Sequence, residues 1–223
     1  SIQRKLAKIE AKQRGKMTET TIQIPPSDDR QYRHVTLPNG LDALLVTDSG
    51  AKRSAASLSV GVGAMSDPKD IPGLAHFLEH MLFMGTEKYP SENGFMEFIS
   101  SHGGSNNAWT SLEETNFHFD VSNEALPEAL DRFAQFFIHP LFSESATQRE
   151  MNAVDSEHKK NIPSEVKRFA ELFRGLANPE SRLATFTTGS LETLNIPKIR
   201  DHLIKFYKEN YSANLMKLCV LGK

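Results

Sequence analysis

From Tyr32 onward the chain runs through two hydrophobic periods, and their order predicts an architecture. "YRHVTLPNGLDALLVTD" sets apolar runs on either side of Pro38-Asn39-Gly40, the pattern of strand, tight turn, strand. "SAASLSVGVGAM" alternates every second residue and predicts a third strand that ends or bulges at Gly61 and Gly63. A Pro/Gly loop, "SDPKDIPG", leads into the helix "LAHFLEHML". "SENGFMEFISSHGG" predicts a short helix that opens at Ser91, lines up Phe95, Phe98 and Ile99, and stops at Gly103-Gly104. "NNAWTSLEETNFHFDVS" gives two strand-like pieces, in the second of which Phe117, Phe119 and Val121 alternate with His118 and Asp120, turning His118 outward. Helical spacing then takes over. "NEALPEALDRFAQFFIHPLF" is amphipathic up to His139-Pro140, and "SESATQREMNAVDSEHKKN" opens at Ser143 and reaches Asn161. More helix, a polar loop near residues 177–190, a helix in "IPKIRDHLIKFYKENY" and a last strand in "NLMKLCVL" complete the pattern. Strands early, helices after them and one strand returning at the end predict an α+β fold, an antiparallel or mixed β-sheet packed against a layer of helices.

Residues 1–30 show no sustained period and include two adjacent prolines, so they are expected to form a basic and polar N-terminal extension, with residues 31–223 as the folded domain. The opening "SIQRKLAKIEAKQRGK" is rich in Lys and Arg and has one Glu; it is expected to be an exposed basic tail or helix, with a transit peptide as the alternative. The rest of the composition, 39% hydrophobic and 24% charged, is that of an ordinary globular domain. A net charge of -2 provides no field for neutralising phosphates, which argues against nucleic acid as the principal partner. No apolar run approaches the roughly 18 residues a membrane span requires. The expected compartment is the cytoplasm, with an organelle as the alternative. The one cysteine, Cys219, rules out an internal disulfide and a Cys-rich zinc site, and its apolar neighbours predict a core position.

The chemistry concentrates in "GLAHFLEHMLFMG". On a helix, His76 and His80 stand one turn apart on one face and can both aim a ring nitrogen at one cation. Glu79 sits beside them, placed to reach a water that the metal acidifies rather than the metal itself. Two histidines are too few, because a catalytic zinc site generally takes three protein ligands. The spacing leaves His102, His118, His139, Glu150, Asp155, Glu157, His158 and Cys219 open as sources of the third. Glu150 and Glu157, seven residues apart, share one face of their helix, a pattern that a solvated charged helix also produces.

Together, "GLAHFLEHMLFMGTEKYPSENGF", "HGGSNNAWTS", "ALDRFAQFFIHPLF" and "NAVDSEHKKN" resemble the catalytic N-terminal domain of the pitrilysin and insulysin family of inverted-zincin metallopeptidases, over about Tyr32 to Gly222. The resemblance implies one zinc ion held by His76, His80 and Glu157, with 76 residues between His80 and Glu157, and Glu79 as the general base. It implies that Glu150 supports a ligand histidine. It also implies an edge strand whose Asn107, Ala108 and Trp109 contact a peptide substrate. The activity implied is insulysin-like hydrolysis of small or unfolded polypeptides. The resemblance further implies a domain cut short at its C-terminal end, partnered by the C-terminal half of a longer multidomain enzyme. That enzyme is a candidate homodimer, and this piece alone is expected to be weakly active or inactive. Two alternatives keep the fold: a non-catalytic subunit and an organellar presequence-processing peptidase. A third, a lyase sharing the H-x-x-E-H helix, takes a histidine as third ligand in a shorter chain. The sequence departs from the family pattern at Leu78, a cysteine in some members, and in "NPESRLATFTTGS", which lacks a frequent His-Pro.

Overall fold

The computed structural model describes residues 17–223; the expectations for the basic opening stretch, residues 1–16, lie outside the described residues. Seven strands form one sheet: β1 (Thr18–Thr20), β2 (Gln31–Thr36), β3 (Asp42–Thr47), β4 (Ser54–Val60), β5 (Ser105–Thr110), β6 (Thr115–Val121) and β7 (Met216–Gly222), in the order β1-β2-β3-β7-β4-β6-β5. Only the β3 and β7 pair is parallel, so the sheet is mixed. Seven α-helices accompany it among the described residues: α1 (Leu74–Leu82), α2 (Gly94–Ser101), α3 (Leu126–Gln135), α4 (Glu144–Asn161), α5 (Glu165–Gly175), α6 (Leu191–Leu194) and α7 (Ile199–Asn210). This is the α+β arrangement that the two periods predict.

The hairpin turns where the sequence places it, with Gly40 in the left-handed region at φ 88° and its N–H donated to the Leu37 carbonyl. The sheet also extends further back than alternation reveals, because β1 pairs Thr18 with Thr36 inside the stretch read as an extension. Three residues are too few to show a period. The returning strand β7 enters between β3 and β4 and closes the centre of the sheet.

One face of the sheet, including Ala56, Leu58 and Val60 of β4 and Phe117, Phe119 and Val121 of β6, is buried beneath the helices. Phe95, Phe133 and Phe136 interlock there with Phe83 and Phe119 at ring-centroid separations of 4.9–6.2 Å. Each such pair adds about 0.5–1.5 kcal/mol beyond its buried area.

Three local expectations are refined. Ser143 caps α4, its hydroxyl accepting the Ala146 N–H at 3.2 Å. Ser91 does not cap α2: its carbonyl accepts the Gly94 N–H in a turn, and the helix opens after Asn93. Cys219 is not in the core. It alternates with Leu218 and Val220, which pack on the helices, and so lies half-buried on the opposite face, beside Leu44 and Ser57.

Candidate metal centre

Helix α1 is apolar on almost every side. Leu74, Ala75, Phe77, Leu78, Met81 and Leu82 are fully buried, so among the polar residues of the helix only His76 and His80 keep partial access to solvent. A helix buried all round needs its first N–H groups satisfied inside the protein. The carboxylate of Asp67 does this, accepting the N–H groups of Gly73 and Ala75 at 2.7 Å each. Burial pushes the Asp67 carboxyl up to about 7, against the pull of the backbone N–H groups it accepts. Asp67→Ala strands those donors in the core and is expected to cost about 2 kcal/mol, read as a lower midpoint in denaturant unfolding; an unchanged midpoint would remove the cap from this account.

Gly73, at φ 92°, meets Gly189, at φ 81°, so closely that a Cβ on Gly73 would lie 2.2 Å from the Gly189 Cα. Only glycine permits that approach. It brings the loop before α6 against the start of α1 and sets the Thr188 carbonyl 2.6 Å from His76 Nδ1. A carbonyl only accepts, so Nδ1 carries a proton, and in the neutral ring Nε2 is then the nitrogen left to bind a cation. His80 is oriented in the same way by Glu150, whose Oε2 lies 3.1 Å from His80 Nδ1.

Both Nε2 atoms stand 3.5 Å from Glu157 Oε2, and the three ligand atoms lie within 4.8 Å of one another. Ligand atoms about 2.0–2.2 Å from a tetrahedral ion are separated by roughly 3.3–3.6 Å, so the two His-to-Glu spacings would fit one zinc ion. The helix that carries Glu157 packs directly on α1. Its two-turn spacing aims Glu150 and Glu157 at the same histidine.

The cluster is built to hold positive charge. Burial pulls the His80 imidazolium down, but the hydrogen bonds to Glu150 and Glu157 outweigh it and bring the ring up to about 9. The bond from His80 holds Glu157 down at about 2, against its burial. Burial raises Glu79, with the two histidines and the Thr110 hydroxyl opposing. That hydroxyl donates to Glu79 Oε2 at 2.6 Å and aims a nearly buried carboxylate at the centre.

The other potential ligands are placed elsewhere. Asp155 accepts the Leu191 N–H and pairs with Lys159, tying α4 to α6. His158 packs edge-on against Phe186, His118 bonds Asn116, His102 bonds the Phe98 carbonyl, and His139 faces Glu87. In β5, an edge strand, Ala108 packs on the core on the same face as Thr110, whereas Asn107 and Trp109 are exposed on the other. Asp67, Thr110 and Thr188 were not singled out from the sequence. The glycines in "IPGL" and "TTGS", each just before a helix, are the one trace of the loop contact that positions His76.

Fold and site together define a cluster able to hold one metal ion, set on an inverted His-x-x-Glu-His helix and completed by a distant glutamate. Residues 43–180 match the family described as Insulinase (Peptidase family M16), and the chain belongs to that family. It is 54% identical over 202 residues to the insulin-degrading enzyme of Drosophila melanogaster, covering 88% of this chain and 20% of that protein. It is 50% identical over 205 residues to the A-factor-processing enzyme of Saccharomyces cerevisiae, covering 89% of this chain and 20% of the relative. The crystal structure of pitrilysin superposes with a TM-score of 0.89 at 38% identity, over 92% of this chain and 22% of that one. The chain thus spans about a fifth of the length of the curated relatives it matches. One relative, insulin-degrading enzyme-like 1 of Arabidopsis thaliana, is described as peroxisomal. No helix among the described residues is long and apolar enough to cross a membrane.

Proposed function

We propose that the chain, as residues 31–223 with a basic and polar extension before them that adds β1 to the sheet, is the catalytic domain of a longer zinc endopeptidase that hydrolyses small or unfolded polypeptides. The observation that carries this reading is the pair of histidines with fixed tautomers, both facing Glu157 at 3.5 Å, with a buried carboxylate beside them that is not needed as a ligand. His76, His80 and Glu157 hold one zinc ion, and Glu150 and the Thr188 carbonyl keep the rings in place. When bound, zinc supplies Lewis acidity, polarising a carbonyl and lowering the pKa of water to about 7.

The chain's own residues supply the rest. Glu79, held by Thr110, takes a proton from the attacking water and returns it to the leaving amine. The free backbone edge of β5 receives an extended peptide by strand addition, with Ala108 on the side of the metal centre and Asn107 and Trp109 bordering it from the other face. Strand addition demands an extended chain, which favours unfolded substrates. The C-terminal part of the longer enzyme completes the enclosure around the peptide; a homodimer of that enzyme and a cytoplasmic location belong to the same reading. The test is to load the whole longer enzyme with zinc and follow cleavage of an unfolded peptide. Activity abolished by a chelator and restored by zinc is expected, and cleavage indifferent to the chelator would reject the proposal.

A further inference from the structure

Beside the metal centre, Thr110 and Thr188, the residues that hold Glu79 and His76, also line a cavity of about 490 Å³. Its far wall is α5, and α5 is turned against the usual rule. Its apolar stripe, Val166, Phe169, Phe173 and Leu176, is 59–79% exposed, while Lys167, Ala170, Glu171 and Arg174, spaced by three and four residues, line the cavity. A helix docked only for stability would bury the first set and leave the second in water.

The charges on this wall are unbalanced. Lys167, Arg168 and Arg174 line the cavity with one carboxylate, Glu171, which pairs with Arg174, and Lys167 also feels the charge of Glu157 beyond it. Among the described residues neither Lys167 nor Arg168 forms a salt bridge. The guanidinium of Arg174 is largely buried, and its Nε is fully buried with no hydrogen-bond partner. Such a group is costly to leave unmatched, and its planar fork suits a second carboxylate. The cavity is roomy enough for any side chain, so selection falls to charge rather than size.

We infer that this cavity is a side-chain pocket of the peptide site and that Lys167 and Arg174 give the enzyme a preference for an acidic residue, Asp or Glu, next to the bond it cleaves. The inference rests on the peptidase reading. An incoming carboxylate meets the ammonium of Lys167 and the part of the Arg174 guanidinium that stays open to the cavity, while Glu171 keeps the guanidinium oriented.

The test uses one extended peptide series in which each position flanking the cleaved bond is in turn Glu, Gln, Leu or Lys, assayed with the zinc-loaded full-length enzyme that contains this chain. Cleavage is read as kcat/KM, and binding as fluorescence anisotropy with the Glu79→Gln protein. At one of these positions Glu is expected to be favoured over Gln by roughly five- to tenfold, a margin that shrinks with added salt. Lys167→Met with Arg174→Met should bring the two peptides to near parity, and Lys167→Arg should retain the preference. Lys167→Glu, a change at an exposed position, should turn the preference toward Lys and so reports on the pocket even if the Arg174 variant folds poorly. Equal handling of Glu and Gln peptides by a zinc- and Glu79-dependent enzyme would overturn the pocket and leave the peptidase standing. If no peptide of any sequence is bound or cleaved, the peptidase reading fails for this protein and the pocket fails with it.

Discussion

Glu79→Gln is expected to lower kcat/KM for peptide hydrolysis by about 10²–10⁴-fold, the range of a lost general base, while zinc stays at wild-type stoichiometry. The substitution is nearly isosteric, and an amide oxygen can still accept the Thr110 hydroxyl now 2.6 Å from Glu79 Oε2. Glu79 is buried, so a shorter residue would also leave a cavity; Gln isolates the proton acceptor from the packing. Exchanging a buried carboxylate for a neutral amide should not destabilise the fold, because burial already disfavours the charge. The measurement pairs steady-state kinetics with elemental mass spectrometry on the same sample. Substantial residual activity would sink the base assignment. Loss of zinc together with activity would make Glu79 part of the metal cluster instead.

How much of this could be read from the chain divides by the range of the interactions. The histidine pair was legible because a helix repeats every 3.6 residues, and the hydrophobic positions around "LAHFLEHML" established the helix. The same rule put Glu150 and Glu157 on one face of α4. It did not show that this face meets α1 rather than solvent, since that depends on packing between segments some 70 residues apart. Only the resemblance, drawn from several blocks in order, chose Glu157 from eight open alternatives.

The contacts that fix the site were less visible still. A backbone carbonyl such as that of Thr188 has no sequence signature, and Thr110 looks like any threonine in a strand. Asp67 reads as one more residue of a Pro/Gly loop, although it caps the central helix of the site. Cys219 was misplaced for a related reason. In "LMKLCVL" both faces of the strand carry apolar residues, so alternation does not say which face turns to the core. Its place came from the register with β3 and β4.

The second large effect is expected from Glu157→Gln, which should remove most of the bound zinc. A structural site of four ligands is worth about 10–16 kcal/mol, so one ligand carries about 3–4 kcal/mol, or roughly 10²–10³-fold in affinity. The carboxylate also contributes the one formal negative charge among the three ligands, and an amide oxygen is a poor replacement. The Glu157 side chain is 42% exposed, so its loss leaves no cavity, but it gives up the pairing with His80 that holds its carboxyl down at about 2, and the zinc-free unfolding midpoint of the variant should lie somewhat below that of the wild type near neutral pH. Zinc should raise the midpoint of the wild type, because a ligand that binds only the folded state stabilises it, and should leave the variant nearly unmoved. Glu150→Gln provides the internal comparison. An amide oxygen can still accept the His80 Nδ1–H, so its affinity should fall by only about 10–100-fold, as for residues that orient a ligand rather than bind the metal. Elemental mass spectrometry after buffer exchange ranks the three proteins directly. Wild-type zinc in Glu157→Gln would move the third ligand elsewhere, and a loss in Glu150→Gln as large as in Glu157→Gln would make Glu150 a ligand in its own right.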